Sequence, residues 1–224
     1  DERVQALVMK ISAPQLGLAQ VQELRDTVKE FRQKGKPAYV YSNCFGSLGG
    51  GTSAYYLATA FGHIVMMPNT EIGITGVALE VPFFKKLLDK IGVKPEFYTR
   101  YEYKTAMASL TEGKFSKPFK DEMSKLGQNI FDDMVSGIAL ERKLTAKSVR
   151  EMINQAPLSA EEGLEKGLID EIKYQAEFEN TLQDKYDAEV VDVKDYAWSL
   201  KENKAKNKIA VLVLEGVITE GDSN

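Results

Sequence analysis

Lys104 is the residue in this sequence whose surroundings most favour chemistry. It stands in the segment Tyr101–Met107, directly after a predicted strand and among aromatic residues. A lysine accepts a proton only in its neutral form, which desolvation by apolar neighbours favours. Because the chain contains a single histidine, lysine is the natural alternative base for a serine or threonine nucleophile. Spacing alone nevertheless favours an ordinary solvated lysine.

Two hydroxyl side chains, Thr52 and Ser53, lie in the glycine-rich stretch Phe45–Tyr56, which joins a predicted strand to a predicted helix. Backbone N–H groups at such a turn can bind a carbonyl oxygen or an oxyanion. The glycines lack phosphate-loop spacing and no Gly-Lys-Ser/Thr follows them, which argues against a nucleotide site. A plain turn explains the stretch equally well, and no base stands near Thr52 or Ser53 in the sequence.

The chain has one histidine, His63, and one cysteine, Cys44. These counts exclude an intramolecular disulfide framework, a cysteine-based zinc cluster and a multi-histidine metal site. His63 opens an apolar strand and Cys44 ends one, so we expect both to be structural residues. A Cys44–His63 dyad is conceivable, but nothing else in the sequence supports it. We expect neither a metal nor a cofactor.

The overall composition is that of an ordinary globular protein. The 224 residues are 43% hydrophobic and 28% charged, with a net charge of −4. This balance argues against nucleic-acid binding, which requires a basic face. The longest apolar run, Ile209–Leu214, is far shorter than the roughly 20 residues of a membrane-spanning helix. The sequence begins at Asp1, so an anchor preceding it remains open.

The elements that must position these side chains alternate between strand and helix. Apolar residues at three- and four-residue spacing predict a helix over residues 18–31, between strands at 4–11 and 38–42. Such a βαβ unit implies parallel strands with a right-handed crossover. A second unit follows, with a short helix over 53–61 and a buried strand over 63–67.

The later chain is predicted to be mainly helical. We predict a helix over 82–91, a fourth strand over 96–99, a long helix over 117–142 and a helix capped by Thr145. The spacing of Ser159 and Glu162 predicts a capping box at the start of a further short helix.

The composition changes after Val193. Residues 201–208 are strongly charged without apolar periodicity, which predicts a linker. The apolar strand at 209–214 follows directly. We therefore predict one domain over residues 1–200, a linker over 201–208 and the first strand of a truncated second domain over 209–224.

Three segments together resemble the signal peptide peptidase SppA (protease IV) family. They are Tyr-Lys-Thr-Ala at 103–106, the proline- and glycine-containing segment 67–77, and the Ser-Ala…Gly-Leu-Ile-Asp element at 158–170. The resemblance covers nearly all of residues 1–190, and the order and spacing of the segments make it specific.

The resemblance implies an α/β fold of the ClpP/crotonase-like type, with stacked ββα units and a mostly parallel sheet. It also implies peptide cleavage by a Ser-Lys dyad, in which Lys104 matches the general base of the family. The nucleophile does not match, because Thr52 stands at the position of the family's serine. The family's upstream Ser-Pro-Gly-Gly is replaced by Ala13-Pro14-Gln15-Leu16.

The long form of the family accounts for these departures. In it, two related domains in tandem divide the dyad, with the lysine in the first half and the serine in the second, and they meet across subunits of a tetramer. The resemblance therefore implies an amino-terminal half whose serine lies beyond Asn224, and which is inactive by itself. It also implies signal peptides as substrates, a homo-oligomer, and a bacterial inner membrane location facing the periplasm.

Two other functions remain open from the sequence. A crotonase-like enzyme on the same fold would use the glycine-rich turn to hold an acyl-CoA thioester enolate. A ClpP-like scaffold domain would have no catalytic role.

Overall fold

The computed structural model describes residues 1–12, 16–46 and 51–200. The chain divides into two compact units, residues 1–188 and 189–224. The first unit contains the strands β1 (Leu7–Ile11), β2 (Ala38–Ser42), β3 (Gly62–Met66), β4 (Glu71–Ile72), β5 (Leu158–Ser159) and β6 (Glu171–Ile172). Its helices are α1 (Leu18–Gln33), α2 (Gly51–Ala58), α3 (Lys85–Lys90), α4 (Ala108–Thr111), α5 (Lys117–Arg142), α6 (Ala146–Gln155), α7 (Ala160–Glu165) and α8 (Gln175–Tyr186). In the second unit, the described residues form α9 (Val193–Ser199).

The first unit is built on a four-stranded sheet in the order β1-β2-β3-β6. All three strand pairs are parallel, and Val40 of β2 lies opposite Met9 of β1 and Ile64 of β3. A separate antiparallel pair joins β4 to β5. The predicted α/β class with a mostly parallel sheet is therefore confirmed. Within the described residues, β1 pairs with β2 alone and forms one edge of the sheet.

The sheet is covered on both faces, as its apolar strands require. Successive residues of β2 point to opposite faces, so Ala38 and Val40 join the main core while Tyr39 and Tyr41 face the other way. Helices α1, α2, α5 and α6 contribute residues to the main core. On the second face, Phe178 of α8 stacks on the ring of Tyr41 at 5.5 Å.

A polar network ties the end of α5 to the segment that enters β6. Arg142 forms a bidentate ion pair with Asp170, with both contacts at 2.9 Å. Asp170 also accepts a hydrogen bond from the Ile64 backbone N–H, and the buried Tyr55 hydroxyl donates to the Leu168 carbonyl at 2.6 Å. Burial opposes ionisation of Asp170, but the hydrogen bonds from Arg142 and Ile64 outweigh it and keep its pKa below the usual value. Burial raises the pKa of Tyr55.

Most predicted elements are observed with small changes in their ends. Helix α5 spans the predicted 117–142, Thr145 caps α6 by accepting from Ser148 N–H, and Ser159 and Glu162 form the capping box of α7. The predicted helix at 82–91 is shorter, since α3 covers only six residues.

The predicted fourth strand at 96–99 is wrong. These residues form no strand, and the side chain of Tyr98 is fully exposed. A run of strand-forming residues becomes a strand only when a neighbouring strand accepts its backbone hydrogen bonds. The predicted linker and second-domain strand, residues 201–224, lie outside the described residues.

Candidate active site

Lys104 lies on a long exposed segment that joins the core to α5. None of residues 75–107, which we call the arm, is buried. The base of the arm is held by an aromatic cluster, in which Phe115 lies 5.1 Å from Phe83 and 5.0 Å from Phe119. Lys104 itself sits in a turn, where its N–H donates to the Tyr101 carbonyl at 3.4 Å.

Lys104 lines an open cleft of about 530 Å³. Its lining comprises Tyr98, Thr99, Arg100, Tyr103, Lys104, Thr105, Ala106, Met107 and Glu122. Lys104 is exposed, and within the described residues its ammonium group has neither a hydrogen bond nor an ion pair. The expected desolvation of Lys104 by apolar neighbours is therefore not provided by the arm.

The side chain of Thr52 is buried and its hydroxyl is hydrogen-bonded. Thr52 lies in the first turn of α2, is 5% exposed, and accepts a hydrogen bond from the Gly76 N–H at 3.0 Å. Ser53 beside it is half-buried. Neither hydroxyl lines the Lys104 cleft, so the structure does not bring Thr52 or Ser53 together with Lys104.

Three glycines allow the backbone to cross closely beside Thr52. A Cβ atom on Gly51 would lie 2.3 Å from the Gly73 carbonyl oxygen, and one on Gly73 would lie 2.9 Å from the Phe45 carbonyl oxygen. Gly46 adopts φ +95°, a conformation that favours glycine. The glycine-rich stretch thus serves close packing here. Residues 13–15, which belong to the segment that replaces the family's Ser-Pro-Gly-Gly, and residues 47–50 of the glycine-rich stretch lie outside the described residues.

His63 packs between strands of the sheet. Its Nε2 lies 2.9 Å from Glu171 Oε1 across the β3–β6 pair, and its ring packs edge-on against Tyr39 at 5.3 Å. Cys44 is half-buried at the end of β2. Among the described residues, no group of three or more His, Cys, Asp and Glu side chains is placed to hold a metal ion.

A second open cleft, of about 590 Å³, was missed from the sequence. It runs between the start of the arm at Thr75–Val77, the middle of α5 and the end of α6 at Ile153 and Asn154. The one available signal was Gly127 in the middle of α5, where a Cβ would lie 3.2 Å from Leu79 of the arm. Gly76 lines this cleft and also donates to the Thr52 hydroxyl, so the cleft begins beside Thr52.

The sequence model of peptidase family S49 matches residues 30–189, a range that contains β2, α2, the arm and Lys104. The chain belongs to peptidase family S49. The resemblance to the SppA family inferred from the three motifs is thereby confirmed.

Similar proteins include proteases from a plant and a bacterium. The chain is 25% identical to the chloroplastic serine protease SPPA of Arabidopsis thaliana, over 98% of this chain and 33% of that protein. It is 22% identical to protease 4 of Haemophilus influenzae, over 100% of this chain and 39% of that protein. The chain therefore spans well under half of the length of these relatives.

Among solved structures, the chain resembles the membrane-bound stomatin-specific protease 1510-N, with 13% identity and a TM-score of 0.38. The match covers 78% of this chain and 83% of that one. Within the described part of the S49 chain, no helix is both long enough and apolar enough to cross a bilayer.

Proposed function

We propose that this chain supplies the general base of a Ser-Lys serine endopeptidase that degrades cleaved signal peptides. The observation that carries the proposal is the location of Lys104. Within a match to a peptidase family, this lysine lies in an open cleft with no partner for its ammonium group among the described residues. A general base must be accessible to the hydroxyl that it deprotonates.

In the proposed reaction, a serine hydroxyl attacks the scissile carbonyl and transfers its proton to Lys104. The resulting ammonium group then gives that proton to the departing amine, and water hydrolyses the acyl-enzyme. Lysine must be neutral for the first step, so the site has to be desolvated when it is assembled. Because the chain leaves Lys104 exposed, the covering surface has to come from the substrate or from another part of the assembly.

The nucleophile in this proposal is not Thr52. The Thr52 hydroxyl is buried and accepts the Gly76 N–H, so it is not presented to the Lys104 cleft. We place the serine outside residues 1–224, in the second half of a tandem-domain protein, and expect the two halves to meet in a homo-oligomer, with four subunits as the working number. In that arrangement residues 1–224 alone are inactive.

The proposal includes an envelope location. The bacterial relative named protease 4 supports a protein of the bacterial envelope. The inner membrane and the side facing the periplasm are what the resemblance to SppA implies. Membrane association would then come from a segment other than the described helices. The match to a peptidase family also favours this function over the acyl-CoA enzyme and the non-catalytic scaffold.

The test is the substitution Lys104→Ala in the full-length protein, assayed with a fluorogenic peptide that the wild-type protein cleaves. Removal of the general base should lower kcat/KM about a thousandfold, with an unchanged melting temperature. Lys94→Ala is the matched control, because Lys94 is another exposed lysine of the arm that does not line the cleft. Wild-type turnover by the Lys104→Ala protein would overturn the proposal.

A further inference from the structure

The hydroxyl of Thr105, the residue after Lys104, donates a hydrogen bond to Glu122 Oε2 at 2.8 Å. Thr105 belongs to the turn on the arm, whereas Glu122 lies in the second turn of α5. The bond therefore joins the segment that carries Lys104 to the long helix that packs on the core.

The same short segment is fixed by backbone hydrogen bonds on both sides. The Lys104 N–H donates to the Tyr101 carbonyl, and the Ala108 N–H at the start of α4 donates to the Thr105 carbonyl at 2.9 Å. Tyr101 has φ +68°, so the turn has a defined left-handed residue. The side chain of Thr105 thus connects this turn to α5 by a hydrogen bond.

Glu122 also lines the Lys104 cleft, together with one cation, Arg100, and the phenols of Tyr98 and Tyr103. In a shared cleft, a carboxylate is the group that would pair with an ammonium ion. Glu122 forms no ion pair with Lys104 and instead accepts the Thr105 hydroxyl. The carboxylate is therefore held in place by the neighbour of the lysine.

We propose that Thr105 is a positioning residue that holds the Glu122 carboxylate away from the Lys104 ammonium group. This inference rests on the proposed role of Lys104 as general base. A carboxylate that pairs with lysine favours the protonated form, which cannot accept the serine proton. By engaging Glu122, Thr105 leaves Lys104 available to lose its proton when the site is covered.

The test is the pH dependence of kcat/KM in the full-length protein, measured with the same fluorogenic peptide. Thr105→Val removes the hydroxyl at nearly constant volume and frees Glu122. The acid limb of the profile should shift to higher pH by roughly one pH unit, because the freed carboxylate stabilises the protonated form of Lys104. Thr105→Ser keeps the hydroxyl and should retain the wild-type limb.

A double variant separates the charge of Glu122 from other effects of the substitution. In Thr105→Val/Glu122→Gln no carboxylate remains to pair with Lys104, so the limb should return to its wild-type position. Thr111→Val is the matched control, because its hydroxyl bonds to the Met107 carbonyl within α4 and does not contact Glu122. If Thr105→Val destabilises the protein in a thermal melt, Thr105→Ala provides the same comparison.

The outcomes distinguish this inference from the proposed function. An acid limb that stays at the wild-type pH in Thr105→Val, while Lys104→Ala is inactive, overturns the role of Thr105 and leaves the general base in place. A shifted limb that the double variant fails to restore also overturns it. Full activity of Lys104→Ala would instead remove the proposed function itself.

Discussion

Helices α2 and α3 both contain leucine but differ in composition and in burial: α2 is mainly apolar, whereas four of the six residues of α3 are charged. Seven of the eight residues of α2 are buried, whereas none of the six residues of α3 is. Leu57 of α2 is 0% exposed, while Leu87 and Ile91 at α3 are 56% and 63% exposed. The core thus finds its packing partners within the chain, whereas the arm leaves apolar surface open.

The residues that stabilise the fold are therefore different from the residues proposed to act in catalysis. The hydrophobic contacts that stabilise the first unit lie around the parallel sheet, away from the exposed turn that carries Lys104. We therefore expect substitutions in the core to change the free energy of unfolding, and substitutions of Lys104 and Thr105 in the arm to change activity with little effect on folding.

The largest effect on stability is expected at Gly51, where two backbone segments cross closely. In Gly51→Ala, the new methyl group would lie 2.3 Å from the Gly73 carbonyl oxygen, so the backbone must shift. We expect the free energy of unfolding, measured by urea denaturation, to fall by about 3 kcal/mol or more. Gly113→Ala is the control, since nothing lies within 4 Å of its Cβ position. Equal stability of the two variants would contradict the packing described here.

A matched pair of leucines tests the two helices directly. Leu57→Ala removes a fully buried side chain and should lower the free energy of unfolding by about 3 kcal/mol. Leu87→Ala removes a side chain that is already more than half exposed, and should change it by less than about 0.5 kcal/mol. Chemical denaturation of residues 1–224 measures both. A large loss in Leu87→Ala would contradict the exposure of the Leu87 side chain on α3.

The Arg142–Asp170 pair gives a smaller, pH-dependent effect within the core. Asp170→Asn removes the charge that Arg142 faces, and should lower the free energy of unfolding by about 2 kcal/mol at neutral pH. The pKa of Asp170 is lower in the folded protein than in the unfolded chain. The ionised Asp170 therefore makes its full contribution to the free energy of unfolding above the ordinary aspartate pKa of about 3.9. This contribution is lost as the pH falls through the lowered pKa that Asp170 has in the folded protein.

Denaturation curves at several pH values check this expectation. The difference between the wild-type protein and Asp170→Asn should be constant near neutral pH and shrink below about pH 4. Asp132→Asn is the control, because its ion pair with Arg150 is more than a third exposed on both sides and should contribute little. A difference that grows in acid would contradict the assignment.

The sequence was most informative where local signals and burial agreed. The periodic apolar residues of α1 and α5, the Thr145 cap and the Ser159–Glu162 capping box all predicted elements that the structure contains. Each of these signals acts within a few residues, so a single sequence reveals it.

Features that depend on contacts between distant residues were not predictable. The strand expected at residues 96–99 has no neighbouring strand, and its apolar residues lie exposed on the arm. The bond between Thr105 and Glu122, and the burial of Thr52 under Gly76, join residues 17 and 24 positions apart. Such contacts depend on the route of the chain, which local patterns do not determine.

For the candidate site, the motif at residues 103–106 identified Lys104 before its surroundings were known. The role of Lys104 as general base stays a prediction. The exposed position of its ammonium group is compatible with that role, but activity measurements on Lys104→Ala are the test. The sequence did not indicate that Lys104 is exposed on the arm. Whether an apolar segment is buried depends on which other parts of the chain pack against it, and local sequence does not show this.

The position of β1 at the sheet edge has a consequence for aggregation. In the described part of the chain, one side of its backbone has no strand partner, and such an edge can recruit strands from other molecules. Lys10, on the exposed part of β1, places a charge there and forms an ion pair with Glu179 of α8 at 2.6 Å. This single charged side chain thus acts against edge-to-edge association, so that its replacement by valine would favour aggregation without altering the core.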